Sequence, residues 1–133
     1  MAPALLEDRL RAYALVGEVV VVGDKRPFIG ALITLDAEAL PGWLKSHNMA
    51  PMTVEEAVKD LTILQHLDNA VERANEVVSR AESIRKYALL TDEFTIANGY
   101  LTPSLKIKRG LILRDYAANV EGLYKDTRAT GNH

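Results

Sequence analysis

The sequence predicts an α+β domain in which a small β-sheet, a hairpin plus at least one further strand, packs against several helices. Two strand-length runs rich in β-branched residues, Glu18–Gly23 and Phe28–Leu35, flank the polar cluster Asp24-Lys25-Arg26-Pro27 and read as the hairpin. Segments with apolar residues at three- and four-residue spacing lie on both sides of it. A third short apolar run, Ile84–Leu90, returns to strand character.

Taken in order, Pro3 suits a first helical turn, and Leu5, Leu6, Leu10, Tyr13 and Ala14 extend one apolar face, so a helix is expected over Pro3–Leu15. A first helix that begins at the third residue suggests a domain cut from a longer chain. Both arms of the hairpin are continuously apolar, which predicts a sheet covered by helices on its core face and on part of the other. Asp36 is placed to cap a helix through Leu40, Trp43 and Leu44 to His47, with Pro41 near its start. Thr53-Val-Glu-Glu56 and Thr62-Ile-Leu-Gln65 both fit the capping-box pattern, so two helices start there, or one that is interrupted. From Leu64 the positions Leu67, Val71, Ala74, Val78 and Ala81 keep one apolar face, opposite Asp68, Glu72, Arg73, Glu76 and Arg80. Residues 92–103, with Asn98-Gly99 and Pro103, form a long irregular connection. A last helix is expected over Gly110–Leu123, with Leu111, Ile112, Tyr116, Ala117, Val120 and Tyr124 turned inward.

Length and composition fit one globular domain: 133 residues, 48% apolar and 26% charged. A formal charge of −2 supplies no field for nucleic acid or an anionic membrane. Without cysteine there is no disulfide, thiolate nucleophile or Cys-based zinc site, and His47, His66 and His133 are not at ligand spacing, so no metal site is assigned. His47 and His66 read as surface or boundary residues of helices. No apolar run approaches the roughly 20 residues that span a bilayer, and no signal peptide is legible at the start.

The segment that carries chemistry is Phe94–Arg109, which places two turn signals and three cations ahead of the last helix. Lys106, Lys108 and Arg109 are read either as solvated charges, the ordinary state of surface cations, or as ligands for an anion. Cations at a helix N-terminus oppose its dipole, which favours an anionic ligand or a neighbouring domain.

The run Asn98-Gly-Tyr-Leu-Thr-Pro-Ser-Leu-Lys-Ile-Lys-Arg109 resembles the C-terminal signature of the adenylate-forming superfamily, in its long-chain acyl-CoA synthetase branch. Many members outside that branch have glycine before the lysine; here Leu105 stands there, as is common in the long-chain branch. Ala2-Pro-Ala-Leu-Leu-Glu-Asp8 resembles the family's first lid helix and Val21–Leu32 its hairpin, so the likeness covers nearly the whole chain. It implies a C-terminal lid domain over residues 1–126; the stretch 127–133 reads from its polar composition as a disordered tail. It also implies an N-terminal domain, absent from this chain, that binds ATP, magnesium and the fatty acid. The implied reactions form an acyl adenylate from fatty acid and ATP, then the thioester with coenzyme A.

On that resemblance Lys106 matches the lysine of the first half-reaction and is the catalytic candidate. Lys108, Arg109, Tyr100 and Thr102 are the substrate- or nucleotide-adjacent candidates, although Tyr100, Thr102 and Pro103 also read as shaping the loop and the two cations as merely solvated. The charges of the Asp24–Pro27 turn read as a turn, or as a contact for the nucleotide of coenzyme A. The domain alone is expected to be inactive. The implied setting is a bacterial cytoplasmic enzyme, peripheral to the inner face of the membrane where its lipid substrates lie. The competing readings are a free-standing module that binds a phosphorylated ligand through Lys106–Arg109, and an interaction domain docking through the hairpin and first helix. Nucleic acid is disfavoured because aromatics are scarce beside the cations.

Overall fold

A computed structural model of the chain describes the backbone of residues 3–130 and the side chains of residues 3–125. The elements run α1 (Pro3–Arg11), β1 (Val16–Val22), β2 (Ile29–Leu35), α2 (Leu40–Ser46), α3 (Val54–Ala57) and α4 (Leu61–Asn75). A 3-10 turn at Arg80–Glu82, β3 (Ile84–Leu90), α5 (Arg109–Asp115) and α6 (Ala117–Thr130) follow. Of the disordered tail expected over 127–133, the backbone of 127–130 instead continues α6, and 131–133 lie outside the described residues.

The sheet has the order β1-β2-β3, with β1 antiparallel and β3 parallel to the central β2. The hairpin is therefore as expected. The parallel third strand needs a crossover, which α2, α3 and α4 provide. All seven residues of β2 are buried, because both faces of the sheet are covered. On one face Val19, Val21, Ala31 and Ile33 pack with Leu6 and Leu10 of α1 and Ile63 and Leu67 of α4. On the other, Val20, Leu32 and Leu90 pack with Phe94, Leu101, Ile112 and Leu123. The unbroken apolar run of the strands thus belongs to a sheet buried on both sides, where no alternation is required.

Several element ends differ from expectation, each for a local reason. The first helix stops at Arg11, and Tyr13 and Val16 donate their N–H groups to Leu10 and Tyr13 carbonyls (both 3.0 Å) in turns that lead straight into β1. Asp36 caps only the turn before α2, accepting from Glu38 and Ala39 N–H groups at 3.0 and 3.1 Å. The Thr53 capping box is formed. The one expected at Thr62 is not, because Asp60 takes the N-cap and accepts the Ile63 N–H at 3.0 Å, where a carboxylate also suits the helix dipole.

The apolar face of α4 ends at Ala74 rather than Ala81, which is exposed. Asn75 closes the helix by pairing with both backbone groups of Ile84, accepting its N–H (2.8 Å) and donating to its carbonyl (3.0 Å). Asn75 thereby fixes where β3 begins. The last helix is broken at Tyr116, and Ala117 points to solvent, not inward. His47 is exposed and stacks on Trp43 at 3.9 Å, with His66 edge-on to both rings at 5.0 Å.

Candidate functional site

The connection from β3 to α5 is irregular in outline but closed by hydrogen bonds. Asn98 organises its first half: its Oδ1 accepts the Thr95 and Tyr100 N–H groups (3.0 and 3.2 Å), and its Nδ2 donates to the Glu93 carbonyl (2.7 Å). Gly99 follows at φ +89°, an angle that glycine takes without steric cost. The second half is a miniature hairpin. Leu101 and Ile107 bridge as antiparallel partners, the Thr102 N–H donates to the Lys106 carbonyl, and the Leu105 N–H donates to the Thr102 carbonyl (both 2.8 Å). The Thr102 hydroxyl accepts the Lys106 N–H at 3.1 Å and bonds Ser104 Oγ at 3.0 Å. Below the tip, the Lys108 N–H donates to the Tyr100 carbonyl at 2.9 Å.

This arrangement follows from the alternation of an extended segment. Leu101 is buried and Ile107 packs on the same cluster, so Lys106 and Lys108 take the outward positions and are exposed. Neither ammonium group has a hydrogen-bond or ion-pair partner among the described residues. Thr102 and Tyr100 shape the loop. The Tyr100 hydroxyl donates to Asp115 (2.6 Å) and the Tyr116 hydroxyl to Asp92 (2.7 Å), while the rings of Phe94, Tyr100 and Tyr116 contact one another at 5.3 to 5.8 Å. The hydrogen bond to Asp115 raises the Tyr100 phenol and lowers the Asp115 carboxyl.

Arg109 corrects the expectation of a solvated cation. Its guanidinium donates to both oxygens of Glu7 (2.9 and 2.7 Å) and to the Val21 carbonyl (2.9 Å), while the Val21 N–H donates to Glu7 at 2.8 Å. Three residues from α1, β1 and α5 form a closed ring. Glu7 is 4% exposed, so its charge is accommodated only by this set of donors. The sequence reading missed Glu7, although a signal was present: it lies three residues before Leu10, on the apolar side of α1, and a carboxylate there requires a buried partner. Arg26 of the hairpin turn is engaged by Glu121 and lies 4.8 Å above the Tyr124 ring.

The hydrogen-bonded tip thus presents two cations without a partner among the described residues, a pattern suited to meeting an anion brought from outside the domain. No group of three His, Asp or Glu side chains that could hold a metal occurs among the described residues, so no side chain here is assigned to magnesium. No helix among them is long and apolar enough to cross a membrane.

Residues 1–128 match the AMP-binding enzyme C-terminal domain family. The chain belongs to this family. The long-chain-fatty-acid–CoA ligase FadD15 of Mycobacterium tuberculosis is 46% identical to this AMP-binding C-terminal domain over 125 residues, covering 93% of the chain. The chain spans 21% of that relative. The fadD11 protein of the same species, described as a putative fatty-acid–CoA ligase, is 28% identical over the same share of the chain and is covered to 22%. Among solved structures, the A-PCP didomain of carboxylic acid reductase from Segniliparus rugosus, in complex with AMP, superposes with TM-score 0.70 at 22% identity. That match covers 96% of this chain and 16% of the other. At that identity the superposition establishes the fold, which is that of the C-terminal domain of adenylate-forming enzymes.

Proposed function

We propose that this domain is the lid of a long-chain fatty acid:CoA ligase and that Lys106 is the cation it delivers to the adenylation site. The observation that carries the proposal is the placement of Lys106: an exposed ammonium group with no partner among the described residues, on a hairpin tip held by three backbone–backbone hydrogen bonds and one from the Lys106 N–H to the Thr102 hydroxyl. In the first half-reaction a fatty acid carboxylate oxygen attacks the α-phosphorus of ATP and pyrophosphate leaves. Two anions approach and negative charge grows on the phosphoryl oxygens, so a compact cation touching both lowers the barrier electrostatically. Lysine supplies that as a point charge on a flexible stem. A closed lid also excludes the water that would hydrolyse the adenylate.

In the second half-reaction the thiol of coenzyme A attacks the acyl carbonyl and AMP leaves, a step that does not need the same cation and is served by withdrawing it. ATP, magnesium and the fatty acid are then held by the N-terminal domain of the same polypeptide, and the isolated lid is inactive. Lys108, on the same outward face, is the second candidate for ATP or pyrophosphate contact. Arg109, Tyr100 and Thr102 are assigned to holding the hairpin. Arg109 takes that role because its donors are already engaged by Glu7 and Val21.

In the full-length enzyme, Lys106→Ala is expected to lower acyl-adenylate formation by about 10³-fold, in the range for loss of one preorganised electrostatic group. Thioester formation from preformed acyl adenylate should stay near the wild-type rate. Equal loss in both half-reactions would assign Lys106 to folding or docking instead, and a larger loss from Lys108→Ala would move the catalytic role to that residue.

A further inference from the structure

Leu105 combines a left-handed backbone with an exposed apolar side chain, and no core contact among the described residues offsets them. Its φ is +67°, in the left-handed region that a bulky side chain rarely occupies. The cause is the turn itself. Leu105 N–H donates to the Thr102 carbonyl and Thr102 N–H returns to the Lys106 carbonyl, which makes a short hairpin loop whose closing residue must be left-handed. Glycine fills that position at no steric cost.

The side chain is also 64% exposed, and it belongs to neither buried cluster. Exposure alone would mean little, since Leu61 is 81% exposed. The combination singles Leu105 out. Among the described residues its side chain makes no core contact that a glycine would lose, which points to a gain made on another surface.

The length of the relatives indicates which surface. The chain aligns with only 21% of FadD15, so in such a protein most of the polypeptide lies outside this domain. The neighbouring residue gives the direction, because Lys106 Cα is about 3.8 Å from Leu105 Cα across one peptide. If Lys106 reaches bound phosphate, Leu105 meets the wall beside it.

We propose that Leu105 is a docking residue. Its side chain enters an apolar recess on the adenylation domain of the same polypeptide when the lid takes its adenylating orientation, and this contact sets how far Lys106 advances. The inference rests on the proposed role of Lys106, and the two are separable by experiment.

The full-length enzyme is compared with Leu105→Gly, Leu105→Asn and Leu105→Met, assaying both half-reactions and thermal unfolding. Glycine and asparagine accept the left-handed backbone, so both variants should melt no lower than wild type. Both should lose adenylate formation by about 10- to 100-fold, the scale of one buried leucine side chain, with thioester formation from preformed adenylate unchanged. Met keeps the apolar volume and should retain adenylation within a few-fold. Full adenylation in the Gly and Asn variants overturns the docking role, as does equal loss in both half-reactions or a Met variant as impaired as Gly. Those outcomes leave the Lys106 assignment intact if Lys106→Ala still abolishes adenylation. A Lys106→Ala enzyme that adenylates normally removes the foundation of both.

Discussion

Arg109 and Glu7 form the residue-scale tie on which the hairpin depends. Glu7 is buried, so deleting Arg109 strands an ionised carboxylate that keeps only the Val21 N–H as a donor. Breaking a buried pair from one side costs about 3 kcal/mol or more, discounted here because the Arg109 side chain is 38% exposed. Arg109→Ala is therefore expected to destabilise the domain by about 2–3 kcal/mol in urea unfolding. A double Glu7→Leu, Arg109→Leu variant should recover much of that, since no charge is left unpaired. A double variant as unstable as the single would show that the loss comes from packing rather than charge. Little of this was legible in the sequence. The three cations at 106, 108 and 109 look alike there, and only the contact across about a hundred residues separates Arg109, which is held, from Lys106 and Lys108, which are free to meet a ligand.

At the scale of elements, the irregular start of β1 is a second constraint. The register between β1 and β2 shifts between Val16 and Val19, and the Glu18 N–H donates to the Thr34 hydroxyl at 2.8 Å. A Cβ on Gly17 would lie 2.7 Å from Thr34 Oγ1 and 3.1 Å from the Leu35 carbonyl oxygen. Thr34 is buried and cannot swing away freely. Gly17→Ala should therefore destabilise the domain by about 1–3 kcal/mol, as overpacking does, with amide exchange rising at both ends of the hairpin; a change below about 0.5 kcal/mol would mean the bulge relaxes at little cost. The strands themselves were readable because their side chains report them directly. Helix ends were not, since Asp60 outcompetes Thr62 as a cap and Asn75 ends α4 through Ile84, a partner in another element. The broken last helix was missed for the same reason: the periodicity of 110–123 is continuous, and nothing local reveals that Tyr116 must also serve Asp92 and Phe94.

Across the whole molecule, acid should weaken the ties made by α5 and α6. Asp115 titrates below its ordinary value because Tyr100 and then Arg114 hydrogen-bond to it, and Glu121 does so because of Arg26. A carboxyl lowered in the folded state contributes stability that is fully present above its unfolded value, here 3.8 and 4.5, and lost as pH falls through the folded value. Glu18 runs the other way: burial raises its carboxyl, so its contribution becomes less unfavourable on acidification. An Asp115→Asn, Glu121→Gln double variant should be less stable than wild type at pH 7, by an amount that shrinks as pH falls from about 4.5 toward 2.5. Urea midpoints measured across that range test it, and a constant gap at all pH values would assign the loss to packing.

The ring joining Glu7, Val21 and Arg109 also has a mechanical meaning. One carboxylate grips the leading helix, the first strand and the residue three places past Lys106, so these parts cannot slide against one another without exposing a buried charge. A twist applied to α1 is therefore passed to the start of α5 through this ring, and the segment leading back to Lys106 turns with the first helix rather than apart from it.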